Sequence, residues 1–144
     1  MDLPFKRLAD GATLPDAHHP GDAGLDLRST VSVKVGPGER AMVPTGVAVA
    51  IPEGHAGLVL PRSGLASKQG LTLANAPGLI DAGYRGELMC AVVNLDPLDT
   101  VVIEPGDRIA QLVVIAIPAV APAWVETLPE TTRGESGFGS TGIR

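Results

Sequence analysis

The sequence predicts an all-β single domain, and three observations lead there. Gly and Pro, 18 and 13 of the 144 residues, break up any long helix. Hydrophobic residues make up 44% of the chain while aromatics are only 3%, so a sizeable core is available and it is aliphatic. Apolar residues alternate with period two in short runs between turn residues, at spacings of about 8–12 residues, which is the pattern of sandwiches, jelly rolls and barrels.

Taken in order, Val31-Ser32-Val33-Lys34-Val35 alternates and stops at Gly36-Pro37-Gly38-Glu39. Val47 to Ile51 has a β-branched side chain at every second position and stops at Pro52-Glu53-Gly54. Further strands are expected over 57–60, 71–74, 87–93, 101–103, 112–115 and 123–128, with Pro105-Gly106-Asp107 turning the chain after 103. No crossover is long enough for a parallel α/β sheet. One short helix is expected, capped by Ser63, running through Leu65-Ala66-Ser67-Lys68-Gln69 and ending at Gly70. Its amino end faces whatever Arg62 faces. Nothing marks a second domain, so residues 1–128 read as one β domain. Residues 129–144 are too poor in apolar side chains to pack and too rich in Gly to be rigid, which predicts a flexible C-terminal arm.

Composition excludes several classes. The net charge is −5 and the basic residues are scattered, which disfavours nucleic-acid backbone as a partner. Eight of the eleven basic residues are Arg, whose planar fork grips phosphate or carboxylate, so a small anionic ligand stays open. A single cysteine, Cys90, makes no internal disulfide, and no Cys/His cluster has zinc spacing. The first residues carry no apolar run, and no stretch approaches the roughly 20 apolar residues of a membrane span. A cytoplasmic protein without membrane contact is the expectation.

None of His18, His19 and His55 stands beside a Ser or Cys in a nucleophile setting, and the pair His18-His19 reads as a solvated loop without a role. Trp124 reads as a strand-borne aromatic and Cys90 as a small buried hydrophobe. Asp26 and Asp81 lie in turn-like segments next to apolar residues and Gly. A carboxylate partly withdrawn from water there suits proton abstraction, and a turn-capping Asp is the alternative for each. Pro61-Arg62-Ser63-Gly64 joins a forked cation, a hydroxyl and a Gly at a helix start, as a phosphate cradle does, with a surface arginine in a turn as the alternative. Gly137-Phe138-Gly139-Ser140-Thr141-Gly142 formally matches GxGxxG, but no helix can follow it, so the dinucleotide reading fails. Arg133, backbone amides and two hydroxyls remain, and they suit a flap over a polyphosphate.

In order, these segments resemble the five motifs of the trimeric dUTPase family over almost the whole chain. Ala23 to Leu27 is similar to the first motif, Pro61 to Gly64 to the second, Gly78 to Glu87 to the third, Gly106 to Leu112 to the fourth and Arg133 to Gly142 to the fifth. Ser136 departs from the glycine usual in the last. The resemblance implies a jelly-roll (β-clip) subunit of a homotrimer, with active sites between subunits. It implies hydrolysis of dUTP to dUMP and pyrophosphate, limiting uracil in DNA and supplying dUMP for dTMP synthesis. It makes Asp81 the general base for in-line attack on the α-phosphorus. Asp26 would hold, through water, a Mg²⁺ cofactor chelated by the triphosphate. Arg62, Ser63, Gly64 and Gln111 would orient the phosphates, and Arg133, Gly139, Ser140 and Thr141 would cap the γ end. Asn75 would read the uracil edge and Tyr84 would pack under the deoxyribose. The hairpin backbone from Leu79 through Ile80 to Met89 would exclude a thymine methyl, and Phe138 would stack on the base. The rivals are a dCTP deaminase, which shares the fold with a different base-reading hairpin and no Gly-rich arm, and a non-enzymatic nucleotide-binding module. The intact Asp81 argues against the module.

Overall fold

A computed structural model describes residues 2–135 and residue 137. Among them eleven strands and one helix follow in the order β1 (Phe5–Arg7), β2 (Leu25–Arg28), β3 (Val33–Val35), β4 (Arg40–Pro44), β5 (Val47–Val49), β6 (His55–Leu60), α1 (Ser63–Gln69), β7 (Leu71–Leu73), β8 (Gly78–Ile80), β9 (Met89–Asn94), β10 (Val101–Ile103) and β11 (Arg108–Ala116). All strand pairings are antiparallel, and among the described residues each joins strands that are not consecutive in sequence. One sheet runs β2-β11-β6-β8, a second β4-β9-β7, and β1 pairs with β5 and β3 with β10. Turns that look like hairpin connections therefore carry the chain between sheets, which is the jelly-roll solution to covering two apolar faces.

The core lies between those faces and is aliphatic, as the composition requires. Leu27, Val35, Val43, Val49, Leu88, Val92, Ile103 and Leu112 are among its fully buried side chains. Cys90 joins them, and burial pushes its thiol up to about 12, so it stays protonated and inert. Asn94 is the polar exception, wholly buried at the end of β9. Its amide nitrogen donates to the Val35 and Asp99 carbonyls at 2.9 and 2.8 Å, and its oxygen accepts from the Asp96 N–H at 2.9 Å. That one side chain closes the 95–99 loop onto β3. Asn94→Ala leaves three backbone groups without their partner and is expected to lower unfolding stability by about 2–4 kcal/mol, measured by urea denaturation.

The structure departs from the sequence reading at particular places. Residues 123–128 form no strand: this segment is exposed, and Trp124 is fully so, not strand-borne. Asp26 lies within β2 and not on a turn. The N-cap of α1 is Arg62, which makes no side-chain cap, and Ser63 is already helical. Gly70 ends the helix as expected, at φ 66°, where its carbonyl accepts from the Leu95 N–H at 2.9 Å. A Cβ on Gly70 would meet the Asp96 backbone nitrogen at 2.6 Å, so only glycine lets α1 dock against that loop.

Candidate active site

The first half of the site is a cleft of about 770 Å³ at the carboxyl end of β6. Its floor follows from strand register. In β2 the alternation sends Leu27 into the core and Asp26 to the opposite face. Asp26 stands opposite Gln111 of β11, which in turn stands opposite Leu60 at the end of β6. Arg62, two residues beyond Leu60, therefore reaches the same place. Between Arg108 and Ala110 the β2–β11 register slips by one residue. This bulge turns Ile109 into the core and Arg108 onto the cleft side.

Asp26, 8% exposed, is the hub. Its Oδ1 accepts from Arg62 Nε at 3.0 Å and its Oδ2 from Arg108 Nη1 at 3.3 Å. Arg62 Nη1 also donates to the Arg108 carbonyl at 3.3 Å. One carboxylate thus aims two guanidiniums, and because each carboxylate oxygen has a second lone pair, Asp26 retains capacity to accept from water. Gln111 donates from Nε2 to the Pro61 carbonyl at 3.1 Å, and its amide lies where a Cβ on residue 24 would be, which accounts for Gly24. Ser63, Gly64 and Lys68 of α1 line the same cleft. The helix does present its first turn to whatever Arg62 faces. Arg62, Lys68 and Arg108 outnumber Asp22 and Asp26, so the cleft favours an anion.

The second half is a pocket of about 230 Å³ lined by Leu79, Ile80, Asp81, Tyr84, Glu87 and Met89. Here β8 and β9 pair with different partners, so the segment between them is a loop bridging two sheets and not a two-stranded hairpin. The Tyr84 N–H donates to the Asp81 carbonyl at 3.0 Å, and the Tyr84 hydroxyl to the Glu87 carbonyl at 2.9 Å. The ring occupies the space that a Cβ on Gly86 would need. Glu87 fastens the loop by accepting from the Gly46 N–H at 2.7 Å. Asp81 is exposed, so Leu79 and Ile80 do not withdraw it from water within one chain as expected. Asn75 is exposed too, at the Gly78 end of β8, where its amide lies 3.3 Å from the position of a Gly78 Cβ.

These halves do not meet within one chain. Ile80 stands opposite Gly57, so Asp81 lies at the level of Ala56, while Arg62 lies beyond Leu60. Six residues of extended chain, roughly 20 Å, separate the two levels. Arg133 lies in the irregular, exposed stretch that follows β11, and Phe138, Gly139, Ser140 and Thr141, like Ser136, lie outside the described residues. Sequence reasoning missed His18, Arg108 and Glu87. His18 lines the first cleft with its Nδ1 3.1 Å from Arg108 Nη1. The signal for Arg108 and Glu87 was their place inside the fourth and third motifs.

No group of three or more His, Cys, Asp or Glu side chains among the described residues is placed to hold an ion. The lone pairs left on the Asp26 carboxylate fit the water shell of a hydrated hard cation such as Mg²⁺.

The chain is similar to known proteins over nearly its whole length. The family model "dUTPase" matches residues 10–142. The deoxyuridine 5'-triphosphate nucleotidohydrolase of Streptomyces avermitilis is 54% identical over 142 residues, covering 99% of this chain and 81% of that protein. The one from Bifidobacterium longum DJO10A is 58% identical over 125 residues, covering 87% and 79%. The dUTPase of Staphylococcus bacteriophage 80alpha, solved as a point mutant with dUpNHpp, superposes with a TM-score of 0.92 at 36% identity over 99% of both chains. With a family match across nearly its entire length and a jelly-roll fold shared with solved dUTPases, this chain belongs to the dUTPase family.

Proposed function

We propose that the protein hydrolyses dUTP to dUMP and pyrophosphate in a homotrimer whose active sites combine the first cleft of one subunit with the second pocket of another. The observation that carries the reading is the placement of Asp81 and the Asp26–Arg62–Arg108 cluster at opposite ends of β6. Both sets of groups are needed at one triphosphate, and a second subunit supplies what a single chain keeps apart. Val120, Trp124, Val125 and Leu128, all exposed in the stretch after β11, are apolar surface that such an assembly would cover. A dUTPase of phage phi11, 33% identical with a TM-score of 0.83, carries a structural Mg(II) ion, which supports the use of that cation in the family.

In this reading Arg62, Ser63, Gly64 and Gln111 hold the phosphates and neutralise charge as pyrophosphate departs. Mg²⁺ supplies further charge neutralisation when bound with the substrate, its water shell held by Asp26. Asp81 takes a proton from the water whose oxygen attacks the α-phosphorus, and the bridging oxygen leaves with the pyrophosphate. Asn75 pairs with uracil, Tyr84 packs under the deoxyribose, and the backbone of Leu79, Ile80 and Met89 excludes a 5-methyl group. Arg133, Phe138, Gly139, Ser140 and Thr141, in the arm 129–144, close over the substrate. The setting is the cytoplasm, where the activity limits uracil in DNA and supplies dUMP for dTMP synthesis.

Pyrophosphate release from dUTP, dCTP, UTP and dTTP with Mg²⁺ tests the substrate. Turnover of dUTP alone is expected, whereas a uracil product from dCTP would indicate a deaminase. Assembly is tested by co-expressing Asp81→Asn and Arg62→Ala subunits. Each homotrimer is inactive, and random mixing restores about a quarter of the sites if each site draws on two chains. No restoration would place a complete site in one chain.

A further inference from the structure

His18 is held in place by its loop and not merely solvated there. The Asp26 N–H donates to the Asp16 carbonyl at 2.9 Å on one side, and on the other the Asp22 carboxylate accepts from the His19 N–H at 2.9 Å while the Asp22 N–H donates to the His19 carbonyl at 3.1 Å. The His19 ring stands edge-on to His18 with centroids 4.4 Å apart. Between these anchors His18 turns its Nδ1 to Arg108 Nη1 at 3.1 Å. A guanidinium only donates, so Nδ1 is the acceptor and the neutral ring carries its proton on Nε2. The same Nη1 lies 3.3 Å from Asp26 Oδ2. Two acceptors on one nitrogen fix the plane of the guanidinium, which a single carboxylate contact leaves free to turn about the bond.

From this we infer that His18 is a positioning residue for dUTP hydrolysis: as a hydrogen-bond acceptor it sets the orientation in which Arg108 meets the substrate phosphates. The inference rests on the reading that the triphosphate lies in the cleft of Arg62 and Arg108. A contact that Arg108 makes to phosphate oxygens equally in the ground state and the transition state contributes uniform binding, so losing its aim appears in KM and not in kcat.

His18→Ala is expected to raise KM for dUTP and Kd for dUpNHpp about 3–10-fold, with kcat within about twofold. His18→Asn, whose Oδ1 can stand where Nδ1 stands, restores both constants. His18→Lys brings charge without an acceptor and does not restore them. An inert Ala variant, an Asn variant as weak as Ala, or rescue by Lys would each overturn the inference, and melting temperatures measured alongside exclude misfolding as the cause. Arg62→Ala serves as the reference. Unchanged dUpNHpp affinity there means the cleft does not hold the triphosphate, whereas weakened affinity there beside a silent His18 defeats only the role of His18.

Discussion

Asp81→Asn is expected to lower kcat for dUTP about 10²–10⁴-fold while Kd for dUpNHpp stays within about twofold. The amide is isosteric with the carboxylate and leaves the loop intact, because the contacts that shape it run through the Asp81 carbonyl, Tyr84 and Glu87 and not through the Asp81 side chain. What disappears is the capacity to accept a proton from water. Single-turnover pyrophosphate release beside a dUpNHpp titration separates the two quantities. A fall in kcat smaller than tenfold, or a parallel loss of affinity, would make Asp81 a binding group and send the search for a base elsewhere.

Asp26→Asn comes next, with an expected loss of about 10²–10³-fold in kcat/KM. The carboxylate receives Arg62 Nε and Arg108 Nη1 on its two oxygens, and an amide presents one of those guanidiniums with a donor in place of an acceptor. Both cations would then relax away from the phosphate position. The side chains of Arg62 and Arg108 are 27% and 30% exposed, so solvent compensates them in part and the stability cost is smaller than for a fully buried pair, about 1–2 kcal/mol. Steady-state kinetics and thermal melting on the same preparation distinguish the effects. If kcat/KM stays within about fivefold while the melting temperature drops, the cluster is structural scaffolding only.

How far these residues could be read without coordinates differs from place to place. All six side chains lining the second pocket come from the one segment 79–89, so naming that segment gave five of them, Leu79, Ile80, Asp81, Tyr84 and Met89, and left out only Glu87. The first cleft draws on β2, α1, β11 and the 17–24 loop, and non-consecutive pairing brings them together. Periodicity is blind to such pairing. β1, with Lys6 and Arg7, and β2, with Asp26 and Arg28 among only four residues, lack the apolar run that announces a strand. The apolar side chains of 123–128 are there, but none of the described residues covers Trp124, Val125 or Leu128. His18 stayed invisible because its partner is 90 positions away.

The slipped register at Ile109 also bears on how this family can change. A strand without the extra residue would present Ile109 to the cleft and drive the Arg108 guanidinium into an aliphatic interior, a burial that costs several kcal/mol. The number of residues between Asp107 and Gln111 is therefore as much a part of the chemistry as their identities. Point substitutions can be absorbed there one at a time, but a single-codon deletion reverses every side chain before it, so insertions and deletions in this stretch are expected to be purged even where Ile109 itself tolerates Val or Leu.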